Sequence, residues 1–177
     1  KMINAALVAM DFDALLPRME RPEYTEEYQG FYYLTGMSGC CDNAELSYII
    51  RAHHEEKLKY RVDYIHRAAE EINRRYGDGV ASAETGFDYK NMRCIIEKNL
   101  HLIARKAIEM AGGVPVSKPV RGGTDGCVLS FMGLPCPNLG TGGYNFHGKF
   151  EFACVEQMDS AVEMIKNLAV IYGALEK

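Results

Sequence analysis

The apolar residues follow a helical spacing in four stretches of the chain. Over residues 55–76 they recur every three or four positions and Gly77 comes next, which predicts a long amphipathic helix ended by glycine. Residues 2–15 predict a shorter helix. Two more are predicted in the second half, one capped by Asn99 and one over about residues 157–175. The inward face predicted for the first helix consists of Ile3, Ala6, Leu7, Met10 and Ala14.

Between the first two helices the pattern changes to alternation. Residues 31–37 are rich in aromatic side chains, and residues 44–51 alternate in polarity, which is typical of strands. Turn-forming residues separate the two runs, so we expect a β-hairpin. Residues 79–89 predict a further strand. The resulting order, helix, strand, strand, helix, strand, is a split βαβ arrangement without its first strand.

Composition limits the class of protein and its partners. The chain has 177 residues, of which 47% are hydrophobic and 25% charged, and a net charge of −4. This is typical of a soluble protein with one domain or two small ones. The mildly acidic balance gives no reason to expect nucleic acid as a partner. Membrane partners are not expected either, because no apolar run approaches the roughly 20 residues of a membrane span.

The six cysteines form no CxxC pair, so a metal finger is disfavoured. Cys40 and Cys41 are adjacent, which is too close for an easy mutual disulfide. We therefore expect reduced, mostly buried cysteines in a cytosolic protein.

Two motifs are candidates for chemistry. RGGTDG, residues 121–126, would bind an anion if a helix follows it and Arg121 adds a bidentate donor; a tight turn with a surface arginine is the commoner reading. His147 lies in TGGYNFHGKFEF and is the best metal or catalytic candidate of the five histidines, with a solvated loop histidine as the alternative. Arg51, at a strand end, and Asn91, in the sequence NMR, are equally ambiguous by themselves.

Four segments together carry a family resemblance: EEYQGFYYLTGMSG, LSYIIR, DYKNMR and VRGGTDGCVLSFMGLPCPNLGTGGYNFHGKFEF. They resemble the peptidase T family, cytosolic tripeptide aminopeptidases among the di-zinc peptidases related to aminoacylase and carboxypeptidase G. The likeness runs nearly end to end, and its last segment is long and specific.

The resemblance implies an α+β fold. Residues 1–92 would form an incomplete ferredoxin-like lid, an antiparallel sheet with two helices that lacks its first strand and serves in dimerisation. Residues 93–177 would form the C-terminal α/β part of a zinc-peptidase catalytic domain. In such enzymes two zinc ions activate a water that attacks the scissile carbonyl.

The resemblance also implies residue roles. His147 matches the last zinc ligand of the family, while Arg121 and Arg51 match arginines that grip the tripeptide, whose carboxylate suits a bidentate guanidinium. Asn91 is expected near this site. The family's other zinc ligands and its general base have no counterpart in these residues. We therefore expect a C-terminal fragment that is inactive alone, binds no zinc and forms a homodimer in the cytoplasm.

Two other functions stay open at this point. The first is a non-catalytic dimerisation or peptide-binding module that uses Arg51 and Arg121 without metal. The second is an anion-binding domain built on RGGTDG, which nothing outside that loop favours.

Overall fold

The computed structural model describes residues 2–175, which divide into two compact units. The first unit includes the chain up to Asp88 together with Pro119–Arg121, and the second comprises the remainder. Helices and short antiparallel strands occur in both units. The predicted mixed α and β class is confirmed.

The first unit is built on the predicted hairpin. Strand β1, Phe31–Gly39, pairs antiparallel with β2, Ala44–Arg51, from the pair Phe31–Arg51 to the pair Gly39–Ala44. The register shifts at Thr35, a bulge that adds one residue to β1. Helix α1, Ala5–Leu15, precedes the hairpin and helix α2, Glu55–Tyr76, follows it. Short 3-10 turns at Arg18–Glu20 and Pro22–Tyr24 connect α1 to β1.

The core of this unit lies between the hairpin and the two helices. Its buried cluster contains Leu16 and Tyr32 together with Ile65 and Ala68 of α2. The apolar stripe predicted for α2 is therefore confirmed. The inward face predicted for α1 is wrong, because Leu7 and Met10 are exposed. Nearly every residue of α1 is apolar, so its sequence does not distinguish an inner face; the residues that are buried or pack on the core are Val8, Ala9, Phe12 and Leu15.

Residues 79–89 do not form the predicted strand. The side chain of Asn73 instead binds both main-chain groups of Ala81, donating to its carbonyl and accepting from its N–H, each at 2.8 Å. Further along, Ala83 packs against the core and Thr85 hydrogen-bonds His66. These contacts hold the segment along α2, and Asn73 satisfies both main-chain groups of Ala81 without a partner strand.

The second unit contains three helices: α3, Lys98–Met110, α4, Asp125–Phe131, and α5, Val155–Leu175. Two-residue strands, β3, Gly143–Tyr144, and β4, Phe152–Ala153, precede α5. Helix α3 packs on α5, where Asn167 donates to the carbonyl of the fully buried Ala107. The cap of α3 is Glu97 rather than the predicted Asn99.

Helix α5 has more apolar side chains than its packing contacts bury. Met164 is buried, whereas Val162 and Ile165 are more than half exposed. Within residues 2–175, no helix has both the length and the apolar character needed to cross a bilayer.

Candidate functional site

His147, the predicted metal ligand, lies in a short antiparallel hairpin of the second unit formed by β3 and β4. The rings of Tyr144 and Phe152 stack across the hairpin with centroids 5.1 Å apart. The Tyr144 hydroxyl also donates to Gln157 Oε1 on α5 at 2.6 Å. These contacts anchor strands that are too short to be stable through their own pairing.

The backbone of this hairpin loop is held in an uncommon conformation. His147 has a φ of 62° and Asn145 a φ of 55°, in the left-handed region that residues other than glycine seldom occupy. The His147 N–H donates to Glu151 Oε2 at 3.2 Å, and the Gly148 N–H donates to the Asn145 carbonyl at 2.9 Å. His147 itself is exposed. A held, strained loop that presents an imidazole to solvent is a reason to consider a binding role.

The residues around His147 do not make a zinc site by themselves. A protein-bound zinc ion takes about four donors, chiefly His, Cys, Asp and Glu. Throughout residues 2–175, three such ligand atoms come together at Cys40, Cys41 and Asp42, and not at His147. Among the described residues, His147 therefore has no two further ligand atoms beside it, and its role as a metal ligand stays a prediction.

Arg121, predicted to bind substrate, belongs to the first unit. Its guanidinium contacts Thr25 and Phe31 of the same unit. Its Nη1 donates to the Thr25 carbonyl and its Nη2 to the Thr25 hydroxyl, both at 2.5 Å. The guanidinium also lies over the ring of Phe31, 4.5 Å from the centroid. The pair of donors expected to bind a carboxylate is thus engaged with Thr25.

Arg51, the second predicted arginine, lies beside the same aromatic residue. It ends β2 and pairs with Phe31 in the ladder, and its Nη1 is 3.7 Å from Asp88 Oδ2. The chain approaches it closely at Gly30, where an added Cβ would lie 2.8 Å from Arg61 Cζ and in conflict with the Arg51 carbonyl. Phe31 thus pairs with Arg51 through the strand ladder and contacts the Arg121 guanidinium through its ring.

His53 also lies near Arg121, although the residues around it in sequence do not have the spacing typical of metal ligands. Its ring packs edge-on against Tyr28 with centroids 5.0 Å apart. Burial lowers the pKa of His53, and the positive charge of Arg121 lowers it further, against hydrogen bonds to main-chain groups that raise it. In the sequence, the feature that could have suggested His53 as a candidate is its position two residues after Arg51.

Asn91, the third predicted substrate residue, is in the second unit. Its Oδ1 accepts the N–H of Arg93 at 3.0 Å and so caps the 3-10 turn Met92–Cys94. This is a local structural contact. A role in substrate binding stays a prediction for Asn91, as it does for Arg51 and Arg121.

The part of RGGTDG in the second unit leads into α4. Gly123 lies against the ring of Tyr89, which leaves no room for a Cβ. The Thr124 hydroxyl donates to Asn138 Oδ1 at 2.9 Å, and Asp125 lies in the first turn of α4. Since a carboxylate of the chain already lies at the start of this seven-residue helix, the loop is a poor anion site.

Sequence comparison relates the whole chain to a known group of enzymes. It is 44% identical to peptidase T of Alkaliphilus oremlandii over 175 residues, which is 98% of this chain and 43% of that protein. The chain is homologous to peptidase T over nearly its whole length. It spans less than half the length of the curated peptidase T relatives that it matches. No family model matches it.

Solved structures of peptidase T-like proteins have a similar fold. The aminopeptidase PepT from Bacillus cereus superposes with a TM-score of 0.60, and a tripeptidase from Staphylococcus aureus with 0.65. Each alignment covers 94% of this chain and 44% of the other, at 19% identity. At this identity the likeness concerns the fold, and it extends over both units of the chain.

Proposed function

We propose that this chain contributes the lid and the C-terminal part of the catalytic domain to a zinc-dependent tripeptide aminopeptidase. Residues 1–92 would be the lid and dimerisation domain, and residues 93–177 the catalytic segment. The observation that carries the proposal is the 44% identity to a peptidase T over 98% of the chain. The names of the two structural neighbours, an aminopeptidase and a tripeptidase, agree with it.

In this proposal His147 is one ligand of the zinc centre. Its support is the β3–β4 hairpin, which holds the backbone in the left-handed region while His147 stays exposed. Glycine or asparagine would occupy that backbone conformation at lower cost, so a histidine there suggests a use for the imidazole. We propose that the remaining donors come from another part of the complete enzyme, since no further ligand atoms gather at His147 among residues 2–175. The chain alone is therefore expected to bind no catalytic zinc and to be inactive.

Arg51, Arg121 and Asn91 would bind the tripeptide. The shared neighbour of the two arginines, Phe31, supports a common task for them. Because the Arg121 guanidinium is bound to Thr25, the substrate carboxylate would have to replace that contact. The same engagement argues against a peptide-binding module that uses Arg121 without further rearrangement.

The β1–β2 sheet of the first unit supports assembly with a second copy of the chain. The β1–β2 sheet has two strands in the described part of the chain, and a free strand edge invites pairing with a second copy. We therefore propose a homodimer through the lid, in the cytoplasm. Light scattering at high protein concentration tests this, and a clean monomer would contradict it.

A tripeptide assay tests the activity proposal. The purified 177-residue chain, supplied with Zn²⁺, should release no N-terminal residue from a tripeptide. Ordinary peptidase turnover by this chain with zinc would refute the proposal that essential ligands and the general base lie elsewhere.

A further inference from the structure

The turn that joins β1 to β2 brings two thiols and a carboxylate together. Cys40, Cys41 and Asp42 follow β1 directly, and all three are exposed. Their ligand atoms, two Sγ and one carboxylate oxygen, lie within 4.8 Å of one another. Among residues 2–175 this is where three His, Cys, Asp or Glu ligand atoms meet in this way.

The backbone of the turn is fixed from two sides. The Cys40 N–H donates to the Asn43 carbonyl at 2.7 Å and closes the turn. The carbonyls of Cys41 and Cys40 accept the N–H groups of Ala5 and Ala6, at 2.9 and 3.2 Å. These are N–H groups of the first turn of α1, which have no partner inside their own helix. The main-chain groups are thereby engaged, and the three side chains are left as the exposed, ligand-bearing part of the turn.

The chemistry of the pair favours metal binding over oxidation. Neighbouring Cα atoms are about 3.8 Å apart, shorter than the roughly 4.4 Å that a disulfide ordinarily needs. Thiolates are the preferred ligands of zinc and of softer cations such as Cd²⁺.

We propose that Cys40, Cys41 and Asp42 form a metal-binding site for Zn²⁺ or a softer divalent cation. Two sulfurs and one oxygen would occupy three positions of a tetrahedral ion and leave the fourth to water. This site does not use His147, the ligand predicted for the peptidase centre. A bound metal would restrict the motion of the hairpin tip. Through the hydrogen bonds to Ala5 and Ala6, it would also restrict the start of α1.

Titration of the 177-residue chain with Cd²⁺ tests the proposal. Ultraviolet absorption reports thiolate-to-cadmium charge transfer, and competition with a chromophoric chelator measures the Zn²⁺ affinity. The wild-type chain should show the absorption and saturate at one ion. The double variant Cys40→Ser, Cys41→Ser should lose it, while Asp42→Asn should keep the absorption but bind Zn²⁺ more weakly.

Two control variants separate this site from other groups. Cys94→Ser removes another exposed cysteine and His147→Ala removes the candidate peptidase ligand, and both should bind Cd²⁺ like the wild type. Absence of the absorption from the wild type, or its survival in the double cysteine variant, would overturn the proposal. An unchanged Zn²⁺ affinity in Asp42→Asn would show that Asp42 is not a ligand, and would overturn the proposal that three side chains bind the metal. Loss of the band in His147→Ala would place the metal elsewhere, whereas failure of the peptidase proposal would leave all these results unaffected.

Discussion

Arg121 lies over the ring of Phe31, with its guanidinium carbon 4.5 Å from the ring centroid. The backbone of Phe31 also pairs with that of Arg51 in the β1–β2 ladder, so both predicted substrate arginines have Phe31 as a neighbour. The contact between Arg121 and Phe31 also explains why residues 119–121 belong to the first unit although their neighbours in sequence belong to the second. A contact between residues 90 positions apart thus holds Arg121 against the start of β1.

The first prediction concerns the structural contribution of Arg121. Arg121→Met removes the stacked charge and leaves the buried Thr25 without two of its hydrogen bonds. The free energy of unfolding should fall by about 1–3 kcal/mol, as measured by urea unfolding. Arg93→Met, at an exposed arginine, should change it by less than about 0.5 kcal/mol. Equal effects of the two substitutions would contradict the role assigned to Arg121.

The second prediction concerns the close approach of the chain at Gly30. In Gly30→Ala the new methyl group meets the Arg51 carbonyl and the Arg61 guanidinium. Such overpacking should destabilise the first unit by about 1–3 kcal/mol and disturb the end of β2. Gly36→Ala is the matched control, because its Cβ would meet Ser47 at an ordinary 3.7 Å. Thermal unfolding should show Gly36→Ala at or above wild-type stability; a wild-type melting temperature for Gly30→Ala would contradict the geometry.

The third prediction follows from the pKa of His53, which burial and then nearby positive charge lower in the folded chain. Below about pH 6.5, the usual histidine pKa, the unfolded chain takes up this proton more readily than the folded chain. Protonation therefore favours unfolding, so the contribution of His53 to stability is lost as the pH falls from 7.5 to 5.5.

His53→Gln should reduce this decline, as measured by urea unfolding at both pH values. His101→Gln, at an exposed position on α3, serves as the control and should leave the decline as it is. A decline equally steep in His53→Gln and the wild type would show that His53 is not responsible.

The fourth prediction concerns the backbone at His147. Glycine occupies a φ of 62° without steric cost, so His147→Gly should leave stability unchanged or raise it by up to about 1 kcal/mol. His147→Val should lower it by about 1–2 kcal/mol, because a β-branched side chain is strained there. Chemical denaturation of the second unit measures both. If valine were tolerated as well as glycine, the loop would not be held as described.

The sequence was informative where local rules decide the structure. The β1–β2 hairpin follows from alternation and turn residues, and α2 follows from a polar face opposite a regular apolar stripe. Helix α1 shows the limit of that approach. Because it is apolar nearly all round, the spacing that placed Leu7 and Met10 inside was wrong, and tertiary packing selected Val8 and Ala9 instead.

The candidate sites depended on contacts between distant residues, which no spacing rule reports. His53 gained its surroundings from Tyr28 and Arg121, and residues 79–89 were bound along α2 through Asn73 rather than in a sheet. The spacing rule for metal ligands did not predict a site at the cysteine turn, because its ligands are consecutive rather than spaced as CxxC. The roles predicted for Arg51, Arg121 and His147 come instead from the family resemblance, and these roles stay predictions.

The central claim is that His147 completes a zinc centre whose other donors come from outside these residues. The most direct test grafts the matched 175 residues into the Alkaliphilus oremlandii peptidase T in place of its own segment, and measures zinc-dependent tripeptide hydrolysis. The graft should be active, His147→Ala should abolish its activity, and His101→Ala should leave activity unchanged. A graft carrying His147→Ala that hydrolyses the tripeptide as fast as the unsubstituted graft would contradict the claim.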